Sequence, residues 1–175
     1  MTMRLRSFRR SEDGSGTIEF VLFLPFFLAL FLSTFELGML MTRQVMLDRG
    51  VDMAVRQVRL GAIEPLTHDT LKEAICGNAE IIPACMRQLK IEMRRVDPRG
   101  WTDIPRAADC VDRFNPAEPV TSFDIGTSNE LMVLRVCALF DPYFPTSGLA
   151  SQVARQNGGA YALVSTTAFV IEPKS

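Results

Sequence analysis

The stretch Gly14-Ser-Gly-Thr-Ile-Glu-Phe20 runs directly into Val21-Leu-Phe-Leu-Pro-Phe-Phe-Leu-Ala-Leu-Phe-Leu-Ser-Thr-Phe35, and no charged residue separates Glu19 from Glu36. The two glutamates stand about 25 Å apart on a helix, close to the ~30 Å of a hydrocarbon core. A helix over Thr17–Met41 therefore places one acid near each membrane interface. Upstream lies a basic leader with Arg4, Arg6, Arg9 and Arg10. A secretory signal would have a shorter apolar run followed by a small-residue cleavage site. Here the run is long, and Ser33-Thr34-Phe35-Glu36-Leu37 is a poor site. The glycine and the acid lie before the run instead.

The order glycine, four residues, glutamate, phenylalanine resembles the processing site of class III (type IV) prepilins. That resemblance implies cleavage between Gly14 and Ser15 by a cytoplasm-facing prepilin peptidase, which leaves the apolar segment on the mature chain. The chemistry suits the role. Glycine lets an extended backbone enter a protease cleft closely. Glu19 becomes the fifth mature residue, where a carboxylate is favoured by the helix dipole. In that family the acid is thought to pair with the N-terminal amine of a neighbouring subunit. The plainer alternative is a signal anchor whose interface Glu19 merely marks.

Past the span, Leu37, Leu40, Gln44, Leu47, Val51, Ala54 and Val58 form a seven-residue seam, widened by Met41 and Val55. This predicts a helix continuing to about Leu60, with its stripe against its own domain or a neighbouring subunit. Pro25 removes one backbone bond and is expected to kink the span. Glu36 reads either as a partner-pairing residue or as a solvated interfacial acid. The run Phe35–Gly61 is similar to the TadE-like minor pilins of tight-adherence (Flp, type IVb) pili. The likeness covers about Asp13–Gly61 and, more weakly, Ala160–Pro173. The major Flp pilin differs in being very short and in carrying Tyr where this chain has Phe20.

Gly61 ends the long helix. Thr67 caps a second helix over His68–Gly77. Leu89–Val96 alternates and reads as a half-buried strand. Asp97-Pro-Arg-Gly100 is a turn, and 101–129 form a long loop. Glu130–Phe140 reads as a central strand, Asp141–Pro145 as a turn, Leu149–Gln156 as a short helix, and Ala160–Ile171 as a final strand. The expected fold is α+β, a long N-terminal membrane-spanning helix followed by a small periplasmic domain with a mainly antiparallel three- or four-stranded sheet. Its parts are a leader at 1–14, the helix at 15–61 with the span near 17–41, and the domain at 62–175.

Cys76, Cys85, Cys110 and Cys137 all follow the span, which suits two disulfides in an oxidising compartment. Three pairings are possible. Cys76–Cys85 closes a short loop and Cys110–Cys137 ties the long loop to a strand, so these are favoured. The lack of a C-x-x-C spacing and the single histidine, His68, argue against zinc. Asp103, Asp109, Asp112 and Asp124 do not follow a calcium-loop pattern. His68 reads as a solvated helix-start residue and Trp101 as an anchor. Net charge is −1, so no nucleic-acid partner is suggested. No catalytic constellation and no cofactor is expected.

Two functions follow. The first is a minor pilin or pseudopilin that acts through packing of its N-terminal helix, with Glu19, Pro25 and Glu36 as assembly residues. Its partners are the prepilin peptidase, other pilin subunits, the inner-membrane assembly machinery and the lipid bilayer. The second is an uncleaved, single-pass, membrane-anchored periplasmic accessory or sensor protein. Arginines flank the span on both sides, so the cysteines and the processing motif fix the orientation, with the N-terminus cytoplasmic.

Overall fold

A computed structural model describes residues 15–100, 105, 107–115, 122–145, 155–156 and 159–173. Helix α1 spans Ser15–Arg59 without interruption, Pro25 included. At 45 residues it is about 68 Å long, more than twice a hydrocarbon core. Glycine makes its end possible. Gly61 takes φ 66°, its N–H donates to Val58 O at 3.0 Å, and the Ala62 N–H donates to Gln57 O at 2.9 Å. This pair of bonds is a Schellman closure, which needs the left-handed conformation that glycine adopts without penalty.

Helix α2 is His68–Asn78. Thr67 caps it by accepting from the Thr70 N–H, and the Thr70 hydroxyl accepts from the Thr67 N–H. A single turn, α3 (Cys85–Gln88), leads into β1 (Leu89–Arg95). Strands β2 (Leu131–Phe140), β3 (Arg155–Gln156) and β4 (Ala160–Val170) complete an antiparallel sheet in the order β1-β2-β4-β3. The expected α+β class and antiparallel sheet are present. The expected helix over Leu149–Gln156 is corrected where the structure describes it. Arg155 and Gln156 pair with Tyr161 and Ala160 as β3, and the rest of that stretch lies outside the described residues.

Register explains the core. Met93 faces Leu134, Ile91 faces Val136 and Leu89 faces Ala138, while Phe140 faces Tyr161 and Met132 faces Phe169. Side chains alternate along a strand, so all ten share one face, and all are buried. Leu47, Val51, Ala54, Val55 and Val58 of α1, with Leu71 and Ile75 of α2, fill the space above that face. Each full burial of this kind stabilises by roughly 1.5–3 kcal/mol. Helix α1 runs beside β4 and in the same direction. Gln44 Nε2 donates to Val164 O at 3.2 Å and Arg59 Nη2 to Glu172 Oε1 at 2.9 Å. The advances agree, at about 22 Å along the helix and about 26 Å along the strand.

The opposite face of the sheet is also covered, which the half-buried reading of Leu89–Val96 did not include. Lys90 and Glu92 are buried there. Segment 107–113 lies over them, held by Cys110–Cys137, and Asp109 Oδ1 accepts from Lys90 Nζ at 2.9 Å. Arg135, opposite Glu92 in register, donates to the carbonyls of Pro105 and Ala107. Glu92 also pairs with Arg94. Ala108, Cys110 and Val111 pack on Cys137, Leu139 and Ala160 as a second small core. Cys76–Cys85 joins the end of α2 to α3. These are the two pairings that the spacing favoured. The longer loop removes more chain entropy, by about 1 kcal/mol on a loop-closure estimate. The free side of β1 meets Phe123, where the Met93 N–H donates to Ser122 O and the Asp124 N–H to Met93 O. At the β1–β2 end, the Thr127 N–H and then Arg95 hold the Glu130 carboxyl below the usual carboxylate range.

At Gly50, α1 passes tightly against the C-terminal part of α2. A Cβ there would lie 2.9 Å from the Ile75 carbonyl and 3.1 Å from Ala79 Cβ. Gly50→Ala should gain about 1 kcal/mol of helix propensity but incur about 1–3 kcal/mol of overpacking. The obstacle is backbone, so the overpacking dominates. Urea unfolding of the full chain in detergent should show a lower midpoint. An unchanged or raised midpoint would mean that the two helices separate freely.

Candidate functional site

The N-terminal half of α1 is a surface of large apolar side chains. Phe20, Phe23, Phe26, Phe27, Leu30 and Phe31 are all exposed. No residue in the most apolar 18-residue window of α1 is buried inside the protein. Ordinary soluble chains leave apolar residues exposed singly, not as a continuous cylinder. By length and composition α1 is a candidate membrane anchor. Of the residues expected at the processing site, Gly14 lies outside the described residues. Ser15 opens the helix, while Glu19 and Phe20 lie in its second turn. Phe20 is exposed. Thr34 and Thr42 donate their hydroxyls to the carbonyls of Leu30 and Gly38, which hides those polar groups within the helix surface.

The apolar cylinder ends in a clamp. Glu36 is 1% exposed, and its two carboxylate oxygens accept from the backbone N–H groups of Tyr143, at 3.1 Å, and Phe144, at 3.2 Å. This corrects the reading of Glu36 as a solvated acid. The carboxylate is engaged by the chain's own loop after β2. Two turns on, Arg43 is 4% exposed. Its Nη2 donates to the Tyr143 hydroxyl at 2.7 Å. Its guanidinium carbon sits 4.4 Å from the Phe140 ring centroid and 4.7 Å from that of Tyr143, so two aromatic faces receive a nearly buried cation. Phe35 meets Tyr143 and Phe144 edge-on, with centroids 6.0 Å apart in both pairs.

Glu36, Leu40, Arg43 and Leu47 follow helical spacing, so the inner face of α1 begins at Glu36 and carries two charges. The predicted seam began at Leu37, which is exposed, as is Met41. The rest of the apolar seam, from Leu40 through Leu47, Val51, Ala54 and Val58, does face the core; the departure is confined to Leu37 and Met41, in whose place Glu36 and Arg43 face inward. The clue available was Tyr143-Phe144 flanked by prolines, a rigid aromatic turn able to present two adjacent N–H groups.

Other singled-out residues serve structure. His68 is not solvated. Its ring meets Phe123 edge-on at 5.8 Å, with Nδ1 3.3 Å from Asp69 Oδ1. Asp109 holds Lys90, and Asp112 accepts from the Phe114 N–H. Trp101 and Asp103 lie outside the described residues.

Residues 14–56 match the family described as TadE-like protein. The match covers about a quarter of the chain, from the expected cleavage glycine to the start of the last turn of α1. It includes Glu19, Pro25, Glu36 and Arg43. The TadE-like segment is thus the apolar cylinder, the clamp residues of α1 and most of its core-facing stripe. Searches of curated proteins and of solved structures give no match.

Glu36→Ala should leave two backbone donors without their acceptor, a loss of about 1.5–3 kcal/mol for bonds to a charged group. The domain should unfold at lower urea, and limited proteolysis should open the chain near Tyr143. Glu36→Gln, which keeps one acceptor oxygen, should fall between the two. An Ala variant as stable as the parent would remove the clamp from the account.

Proposed function

We propose that this chain is a minor pilin or pseudopilin that takes part in the assembly of tight-adherence (Flp, type IVb) pili. The observation that carries the proposal is the TadE-like match over 14–56, which falls on an exposed apolar helix continuous with a folded domain. In this reading a prepilin peptidase hydrolyses the Gly14–Ser15 bond at the cytoplasmic face of the inner membrane. The mature N-terminus stays beside that face, α1 crosses the bilayer, and the disulfide-bonded domain stands in the periplasm. The two disulfides support that side, because cystines persist in oxidising compartments. The outward stripe of α1, with Leu37, Met41 and Val45 exposed past Glu36, is the surface offered to neighbouring subunits and the assembly machinery. The role is structural, without catalysis or a cofactor.

Two substitutions test the reading. Gly14→Val should leave a full-length precursor in the membrane, whereas the parent protein should have the mass of the chain beginning at Ser15. An intact N-terminus on the parent would favour the uncleaved accessory or sensor protein.

Glu19→Ala should disturb assembly but not folding. Glu19 is remote from the domain core, and losing an ionisable group makes insertion easier. The lost attraction is to a neighbour's amine, a pairing worth little in water but hard to leave unmade in a low-dielectric helix bundle. The variant should keep its disulfides and membrane location yet fail to co-purify with pilus components. Cleavage is scored separately, since the peptidase can also read this acid. Normal piliation would reduce Glu19 to an interface marker, and degradation would make it structural.

A further inference from the structure

We infer that the loop after β2, through Tyr143 and Phe144, rests in the headgroup layer of the bilayer, so that the folded domain contacts lipid and does not stand clear on a stalk. The inference builds on the reading of α1 as a membrane span. Phe35 is the last residue of the charge-free run, and its ring touches both Tyr143 and Phe144. The loop is therefore at the height where the run ends.

That height is shallow in the membrane. From Glu19 to Glu36 the helix rises about 25 Å, a little less than the ~30 Å hydrocarbon core. With Glu19 at one boundary, Glu36 falls at or just inside the other. A carboxylate there requires shielding from lipid, and the Tyr143 and Phe144 N–H groups supply it. The group that shields Glu36 must itself reach the bilayer surface.

The loop's chemistry suits that place. Pro142-Tyr-Phe-Pro145 carries no charge. Tyr143 is 47% exposed and Phe35 45%, so the protein encloses neither residue. The Tyr143 hydroxyl is turned to Arg43, on the side away from the span. Amphipathic rings with an apolar body and a polar tip collect at the membrane–water boundary. Leu37 and Met41, exposed two and six residues past Phe35, extend the apolar surface of the helix beyond it.

The test is tryptophan quenching in the full chain, reconstituted in phosphatidylcholine vesicles with bromine placed on the acyl chains either near the headgroup or near the bilayer centre. Trp101→Phe removes the one native tryptophan. In that background Phe144→Trp keeps the backbone N–H that holds Glu36, Phe27→Trp reports the span, and Ile125→Trp reports the exposed loop beside Gly126. Phe144→Trp should lose more fluorescence to the shallow bromine, Phe27→Trp more to the deep one, and Ile125→Trp should lose none. Quenching of Phe27→Trp without quenching of Phe144→Trp overturns the inference and leaves the span intact. No quenching at either position overturns the span as well. Should Phe144→Trp fail to form its disulfides, Tyr143→Trp is read in its place under the same criteria.

Discussion

Everything beyond α1 depends on the burial of its inner face between Leu47 and Val58 against the sheet. Leu47, Val51 and Ala54 are wholly buried, and Val55 and Val58 nearly so. Without them the face formed by β1, β2 and β4 would lie half open, and α2 would lose its second wall. The same helix must present apolar side chains on every side between Ile18 and Phe35. One element therefore carries two kinds of surface, and the change occurs within two turns. Glu36 and Arg43 sit at that change. Each charge is enclosed, the acid by two amides and the guanidinium by a hydroxyl and two rings. A buried charge without such partners would cost several kcal/mol. The loop after β2 is thus as necessary to the helix as the helix is to the sheet.

The far side of the sheet is stabilised differently. No helix covers it among the described residues. A short irregular segment does, and irregular backbone packs little apolar area. Cys110–Cys137 holds it down, and ion pairs meet the charges that the cover buries: Lys90 with Asp109, and Glu92 with Arg94 at Oε1 and with Arg135 at 3.8 Å from Oε2. In a domain this small, cross-linking of this kind supplements a limited core.

Much of this was legible in the residues. The charge-free run, the seam into Val58, glycine at 61, threonine at 67 and the alternation in β1 and β4 are local signals, each tied to one period or one cap. What local pattern could not show was contact across long separations. Glu36 meets residues 107 and 108 positions away, and an acid in an apolar seam reads as solvated until its acceptor role is visible. Lys90 and Glu92 likewise read as an outward face, because the cover comes from a loop without periodicity. Helix α3 has four residues, too few to show a period. At Arg155–Gln156 the neighbouring strand decides the conformation, which tertiary pairing can do against a helical pattern.

The parallel course of α1 and β4 also determines how the molecule carries tension. A pull on the N-terminal half of α1, with the domain held back, is loaded along the helix. Because the helix lies lengthwise on its neighbours, that pull slides the whole interface at once instead of unzipping it contact by contact. Leu47, Val51, Ala54 and Val58 resist together, and the bonds from Gln44 to Val164 and from Arg59 to Glu172 brace both ends. The clamp at Glu36 lies nearest the applied force and strains first. The shared direction of helix and strand thus sets such a pull along the interface, in shear.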